Sequence, residues 1–227
     1  SRIDKSVARL LRAKFKMGLF DNPFVDVEAA SQIAGKPEFV EKGKLAQRKS
    51  IVLLKNEMNN DSSFVLPLNK DAKIYIENIE RETAAGYATV VDSLKEADFA
   101  VLRLQAPWEP RSGDIIERMF HQGDLDFKEP ELSRIINIMK QKPTVVCVYL
   151  DRPAVMPEIT ENAAALLCEF GAFDDAVFDV IFGEFNPAGR LPFELPASMK
   201  AVENQKEDVP YDSEEPLFNF GFGLNYK

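Results

Sequence analysis

The sequence contains little of the chemistry on which metal sites, disulfides and nucleophilic pairs depend. Its 227 residues include two cysteines and one histidine, His121. Cys147 and Cys168 lie inside the apolar runs TVVCVYL and ALLCEF, so we expect buried free thiols rather than a disulfide or a nucleophile. No Cys-x-x-Cys or His-x-x-His spacing occurs, so the sequence predicts no metal site. A catalytic Ser–His or Cys–His pair would need His121, near which no nucleophile-elbow pattern occurs.

The charge balance and the absence of long apolar runs argue against further classes of function. Acidic residues outnumber basic ones by 37 to 28, and the net charge of −9 argues against nucleic acid or an anionic membrane as a partner. No apolar run has the length that spans a membrane. The segment LLKNEMNNDSSFVLP after the first apolar run has no glycine-rich phosphate loop, so we expect no nucleotide or other cofactor.

The first residues predict no signal peptide. The segment SRIDKSVARLLRAKF lacks an initiating methionine and opens directly in a helical pattern. We interpret the chain as a piece of a longer protein or a processed product, and the sequence predicts no localisation.

Three helices are predicted before the first strand. Residues 4–19 form an amphipathic pattern that Asp4 or Ser6 can cap. Its apolar positions at helical spacing are Val7, Leu10, Leu11 and Phe15. A short helix ends at Gly35, and a third, rich in basic residues, spans about 37–50.

Strand and helix patterns alternate through the middle of the chain. The strand candidates are Ile51–Leu54, Lys73–Ile79, Phe99–Leu104, Thr144–Leu150 and Ala164–Phe170. The helix candidates are 86–96, 130–141, 155–161 and 174–182. Near-continuous apolar strands suit a parallel sheet covered on both faces. The sequence therefore predicts an α/β fold, a three-layer sandwich with a mostly parallel sheet, preceded by a helical linker arm.

Several motifs, in order, resemble the C-terminal portion of glycoside hydrolase family 3, the β-glucosidase and exo-glucanase group. They are SVARLLRAKFKMGLFDNPF, AQRKSIVLLKNE, the LPL at 66–68, FGEFNPAGRLPFELP and PLFNFGFGLNY. The resemblance implies an (α/β)6 sandwich domain that follows a (β/α)8 barrel absent from this chain. It divides the chain into a barrel-trailing helix and linker at 1–40, the sandwich at 41–200, and a tail at 201–227 that packs back on the domain. We expect Phe218, Phe220 and Phe222 of this tail to pack against the core rather than contact sugar.

The resemblance also implies a reaction. Retaining glycoside hydrolysis needs two carboxylates, a nucleophile and a general acid/base, about 5–5.5 Å apart. The family's nucleophile is an Asp of the barrel, so we expect the fragment alone to be inactive. The implied substrate is a β-glucoside or a β-glucan oligosaccharide, hydrolysed at a terminal β-glucosidic bond with retention. The alternative is a non-catalytic α/β module that binds a carbohydrate or a protein.

The acid/base in several family members is a Glu on a loop between a strand and a Gly-Asp pair. The segment APWEPRSGD occupies this position after the apolar run DFAVLRLQ. Where those members carry the Glu, four residues before the Asp, this chain has Pro110, so Glu109 becomes the catalytic candidate. Glu117, Asp114 and a barrel residue stay open as alternatives.

The neighbouring residues have a substrate-binding and a structural interpretation each. Trp108 can stack on a pyranose or hold the loop on the domain. Arg111 can bind substrate or be a solvated charge, like Glu109 itself. Asp114 can bind sugar hydroxyls or, as we favour, cap a following helix. His121 and Asp124 complete the predicted substrate-binding set, although a lone His is more often simply hydrogen-bonded. A second-tier candidate, Asp151-Arg152, is expected to form an ion pair that braces a turn.

Overall fold

The computed structural model describes residues 1–58 and 63–226, and the chain divides into two compact units, residues 1–43 and 44–227. The first unit holds α1 (Arg2–Lys16), α2 (Val27–Ile33) and the start of α3 (Pro37–Ser50). The predicted caps of the first helix are wrong. The Ser1 hydroxyl accepts from the Asp4 N–H and the Asp4 carboxylate accepts from the chain's N-terminus, so a capping box starts the helix earlier. Within these three fully described helices no residue is buried.

The second unit is built on one six-stranded sheet. Its strands are β1 (Val52–Asn56), β2 (Lys73–Glu77), β3 (Thr89–Val91), β4 (Phe99–Gln105), β5 (Thr144–Tyr149) and β6 (Ala165–Glu169). The order across the sheet is β1-β6-β5-β4-β2-β3, and every neighbouring pair is parallel except β1 with β6. The mostly parallel sheet predicted from the apolar runs is confirmed.

Helices cover both faces of the sheet, which confirms the three-layer architecture. The unit's helices after α3 are α4 (Arg81–Ala85), α5 (Ile115–Met119), α6 (Glu131–Gln141), α7 (Pro157–Asn162), α8 (Asp174–Ile181) and α9 (Met199–Asn204). One buried cluster packs α4 and α8 on one face around Phe178, and a second packs α6 and α7 on the other around Ile135 and Ile159. Strands buried on both faces read as continuous apolar runs, which is why five of the six were predictable.

The helix predicted over 86–96 is wrong. Gly86 ends α4, and the β-branched residues that follow form β3, which pairs with β2 in parallel. A three-residue 3-10 turn, Leu94–Glu96, closes the segment. Short β-branched runs lose side-chain freedom in a helix and fit a pleated edge, so strand pairing prevailed over the helical spacing.

The aromatic tail packs against the rest of the second unit. Phe218 forms an antiparallel bridge with Leu195, and the Leu191 N–H donates to the Phe222 carbonyl at 2.9 Å. Phe218 and Phe222 pack on the core, as expected. The expectation is wrong for Phe220, which is 51% exposed and packs on Tyr211. None of the helices in the described ranges combines the length and apolar character that crossing a membrane requires.

Candidate functional site

The strand order creates one topological switch point in the parallel sheet. From β2 the chain moves outward to β3 at one edge, whereas β4, β5 and β6 follow one another toward the other edge. The connections that leave β2 and β4 therefore diverge at the carboxyl ends of these adjacent strands. Ligands of open α/β sheets bind in the crevice formed at such a point. The topology thus identifies one place for a site without reference to any side chain.

A cavity lies at this crevice, and Asn78 is one of the residues that border it. Asn78, directly after β2, has a left-handed backbone with φ of 57°, and its Nδ2 donates to the Arg103 carbonyl at 3.0 Å. Asn is one of the few residues that adopt this conformation readily. This cavity of ≈ 390 Å³ has Gln105 and Trp108 from the β4 side and Lys128 among its walls. A cavity of this size is in the range of small-ligand pockets.

Trp108 stacks on His121 within the loop that follows β4. The ring centroids are 4.4 Å apart and the planes are inclined by 12°. The His121 Nδ1 is hydrogen-bonded to the carboxylate of Asp151, the second residue after β5. Because one indole face meets the imidazole and the side chain also borders the cavity, the exposed part of its surface is available to a ligand. The indole is 37% exposed, so the stack steadies it without burying it.

Glu109, the predicted catalytic residue, lies beside this stack. Its backbone N–H donates to the Gln122 carbonyl at 2.8 Å. Its side chain crosses Gly123 so closely that a Cβ there would lie 2.6 Å from Glu109 Cδ. Gly123 has φ of 83°, and its carbonyl accepts from Arg152 Nη2 at 2.6 Å. We call Trp108, Glu109, His121, Asp151 and Arg152 the loop cluster.

The ion pair expected between Asp151 and Arg152 is wrong. Asp151 binds His121, and Arg152 binds the Gly123 carbonyl, so both side chains reach across to the loop instead of bracing their own turn. Sequence reasoning ranked them second because nothing local indicates a contact to a segment some 30 residues earlier in the chain.

Two predicted substrate-binding residues lie apart from the loop cluster's contacts. Asp114 caps α5, since its Oδ1 accepts from the backbone N–H groups of Ile116 and Glu117 at 2.9 and 3.1 Å; this confirms the structural interpretation favoured from sequence. Arg111 is exposed and forms no hydrogen bond or ion pair within residues 1–58 and 63–226. The Glu117 carboxylate, an alternative acid, folds over Gly113, where a Cβ would lie 1.5 Å from its Oε2.

Asp124 belongs to a small charged group on the rim of the crevice. Lys128 Nζ lies 2.7 Å from Asp124 Oδ2 and 2.8 Å from Asp126 Oδ1. The hydrogen bonds to Asp124 and Asp126 raise the pKa of the Lys128 ammonium above its ordinary value. Lys128 and Asp126 border the cavity. Asp126, like Asp124, is a possible substrate contact from the sequence, whereas Lys128 was missed, and the DLDFK run was the available signal for it.

A second polar cluster lies at the same edge of the sheet, and its charged groups pair with one another, although two of them border a further cavity of ≈ 700 Å³. We call Arg103, Glu169 and Asp174 the ion-pair cluster. The guanidinium reaches Glu169 at 2.7 Å and Asp174 at 2.5 Å, and it also donates to the Ala172 carbonyl at 2.6 Å. Although desolvation lowers it, the hydrogen bond and charge of Glu169 leave the pKa of Arg103 above its ordinary value.

No group of three or more His, Cys, Asp or Glu residues in the described ranges could hold a metal ion. Both thiols are buried and free, as the apolar runs predicted.

Residues 75–226 match the Glycosyl hydrolase family 3 C-terminal domain, which is well over half of the chain. The chain belongs to glycoside hydrolase family 3. The resemblance carried by the sequence motifs is confirmed, and the matched region contains the whole loop cluster.

Named relatives agree with this assignment. Beta-glucosidase C of Emericella nidulans is 48% identical over 231 residues, covering 100% of this chain and 36% of the relative. The periplasmic beta-glucosidase/beta-xylosidase of Dickeya chrysanthemi is 36% identical over 229 residues, covering 99% of this chain and 34% of the relative. The family 3 chain described here therefore spans about a third of the length of these proteins.

Solved structures share the fold. The beta-glucosidase from Listeria innocua in complex with glucose superposes with a TM-score of 0.73 at 21% identity, covering 99% of this chain and 38% of that one. The same enzyme's D270A mutant in complex with laminaribiose gives a TM-score of 0.71 at 22% identity.

Proposed function

We propose that this chain is the C-terminal part of a retaining β-glucosidase and contributes one wall of an active site completed by an N-terminal (β/α)8 barrel. The substrates would be β-glucosides and short β-glucan oligosaccharides, cleaved at the terminal β-glucosidic bond. Family membership supports the reaction class, and the relatives, roughly three times longer, support a further domain. The domain division 1–40, 41–200 and 201–227 remains part of this proposal.

One observation carries the proposal. The loop at the switch-point crevice carries a carboxylate, Glu109, next to a partly exposed indole, Trp108, that borders the cavity. A pyranose can lie on the free indole surface through its apolar C–H face, while the carboxyl group protonates the departing glycosidic oxygen. The same group, deprotonated by that step, would take a proton from the water that hydrolyses the glycosyl-enzyme.

The other predicted residues take supporting roles in the proposal. His121 contributes by stacking on Trp108, and Asp124 by holding Lys128 at the rim. Arg111 has no competing partner within the described ranges and is free to meet a substrate or the barrel. Asp114 is occupied as a helix cap, so its contribution is to the conformation of the loop.

The nucleophile would come from the barrel, so the 227-residue chain alone should turn over no aryl β-glucoside. Titration of that chain with glucose, laminari-oligosaccharides and cello-oligosaccharides addresses the alternative of a binding module. Tight binding by the isolated chain would favour the module over a half-site.

The acid/base role is tested by Glu109→Gln in the full-length polypeptide. Turnover of glucosides with poor leaving groups should fall by about 10²- to 10⁴-fold, because only these need proton donation. Activated aryl glucosides should be affected less, and azide should restore turnover because it needs no general base. The matched variant Glu117→Gln should retain activity, and the reverse pattern would move the role to Glu117.

A further inference from the structure

The second and third residues after β5, Asp151 and Arg152, both reach into the segment that carries His121 and Gly123. Asp151 binds the His121 Nδ1, and Arg152 Nη2 donates to the Gly123 carbonyl at 2.6 Å. The following residues extend the junction, since the Val155 N–H donates to the Leu125 carbonyl at 2.9 Å. One short segment at the end of a central strand thus fixes the far half of the loop.

Two chains of contacts, which we call arms, lead from this junction. The first arm runs from Asp151 through His121 to the indole of Trp108. Asp151 sets the orientation of the imidazole ring, which lies parallel to Trp108 within 12°. The side chains of Asp151 and His121 are 19% and 30% exposed, so water competes only partly for their hydrogen bond. Asp151 itself does not reach the indole; it acts on Trp108 through the ring between them.

The second arm ends at the carboxylate. Arg152 holds the carbonyl of Gly123, and the Glu109 side chain rests against the bare Cα of that glycine. A Cβ at this position would overlap the carboxylate, so the glycine is needed for close approach as well as for its φ of 83°. Arg152 therefore acts on Glu109 through one backbone unit.

We propose that Asp151 and Arg152 are positioning residues with separate tasks: Asp151 orients the Trp108 platform through His121, and Arg152 places the Glu109 carboxylate through Gly123. This inference rests on the proposed function for its kinetic consequences. Neither residue needs to touch the substrate. No ion pair joins the two to each other in the described part of the chain, so each arm can be removed alone.

The 227-residue chain offers a direct spectroscopic test, because Trp108 is its sole tryptophan. Asp151→Ala should free the imidazole and raise the acrylamide quenching constant of Trp108 about twofold, as a second indole face becomes accessible. Asp151→Asn, which retains a hydrogen-bonding group, should lie between. Arg152→Ala should leave the quenching close to that of the parent chain.

Asp92→Ala is a matched control, since it removes an exposed carboxylate that pairs with Arg81 after the edge strand β3. Far-ultraviolet circular dichroism shows that each variant is folded. Equal quenching changes for Asp151→Ala and Arg152→Ala, or none for either, would overturn the two-arm assignment.

Kinetics of the full-length polypeptide separate the arms further. Asp151→Ala should raise KM about three- to tenfold with little change in kcat, the size of one lost stacking contact. Arg152→Ala should lower kcat by about 10²-fold with little change in KM, because a displaced acid loses its alignment, and Arg152→Lys should recover part of it. If both variants show the same fall in kcat together with the same rise in KM, the two residues do not have separate positioning roles.

Failure of the proposed function has a different signature. If Glu109→Gln retains full activity, the catalytic assignment fails even when the fluorescence of the two variants differs as expected. If Glu109→Gln is inactive and the fluorescence does not differ, the positioning inference fails alone.

Discussion

Two polar clusters lie at the carboxyl edge of one sheet, and they are built in opposite ways. The ion-pair cluster is fully paired around a buried carboxylate: Glu169 is 0% exposed and accepts from Arg103 and from the backbone N–H groups of Gly171 and Ala172. It joins β4 to β6 and to the start of α8, where Asp174 lies.

The loop cluster is open by comparison. Trp108 and Glu109 keep exposed surface. Two buried donors, Arg152 Nη1 of the cluster and Nε2 of its neighbour Gln122, have no hydrogen-bond acceptor within the described ranges. A closed interior seldom tolerates such donors, since each costs about 1–3 kcal/mol when unpaired. The difference teaches that charge density alone does not identify a site. Complete pairing indicates a structural cluster, and incomplete pairing at a switch point indicates one that meets a ligand.

The largest change in the free energy of unfolding should come from a substitution in the ion-pair cluster. Glu169→Gln removes the charge that compensates a partly buried guanidinium, so the free energy of unfolding should fall by about 3–5 kcal/mol. Urea denaturation of the 227-residue chain measures this. Glu207→Gln, at an exposed position, is the control. A fall in the free energy of unfolding of less than about 1 kcal/mol would mean that Glu169 does not stabilise the ion-pair cluster.

Most strands of the sheet that carries the two clusters could be predicted from the sequence, whereas their order in the sheet could not. Five strands were predicted because burial on both faces leaves continuous apolar runs. The edge strand β3 was missed because three residues carry too little pattern, and its identity depends on pairing with β2. The strand order, which defines the switch point, is a tertiary property that no local pattern encodes.

The site was predictable in composition and unpredictable in geometry. The density of Trp, Glu, Arg and Asp after a buried strand identified the loop, and Gly113-Asp114 before an apolar run predicted the cap. The stack of Trp108 on His121 and the reach of Asp151 to His121 join residues far apart in the chain. Only the fold brings them together, so their roles could not be read from spacing.

The two buried thiols, one on each face of the sheet, provide a second test of burial around the ion-pair cluster. Cys147 pairs with Arg103 across β4 and β5, and desolvation by burial raises the pKa of Cys147 and of Cys168. The folded thiols stay protonated after those of the unfolded chain have ionised, so their stabilising contribution is complete below the unfolded pKa of about 8.5 and declines above it.

At one pH unit above that value, the contribution of each thiol to the free energy of unfolding should therefore have fallen by about 1.4 kcal/mol. Urea denaturation at pH 7 and pH 9.5 measures the decline, and Cys147→Ala should remove about half of the thiol contribution. A variant with an unchanged pH dependence would show that the thiol ionises in the folded chain.

Asp114 tests whether a residue of the site loop acts structurally. Asp114→Ala should lower stability by about 1 kcal/mol, because two backbone N–H groups of α5 lose their acceptor. Asp114→Asn should retain most of that stability, since an amide oxygen caps nearly as well. If Asp114→Asn instead raises KM as strongly as Asp114→Ala, the carboxylate contacts substrate and the cap is not its main role.

The smallest stability change should fall on the residue with the greatest expected effect on activity. Glu109 makes its recorded hydrogen bond through the backbone, and its exposed carboxylate rests on a glycine. Glu109→Gln should therefore change the unfolding free energy by less than about 0.5 kcal/mol, while in the full-length polypeptide it lowers turnover of glucosides with poor leaving groups by about 10²- to 10⁴-fold. Thermal unfolding beside kinetics measures both. If the free energy of unfolding of Glu109→Gln falls by several kcal/mol, Glu109 is a structural carboxylate like Glu169. A carboxylate whose role is chemical can be neutralised without destabilising the fold.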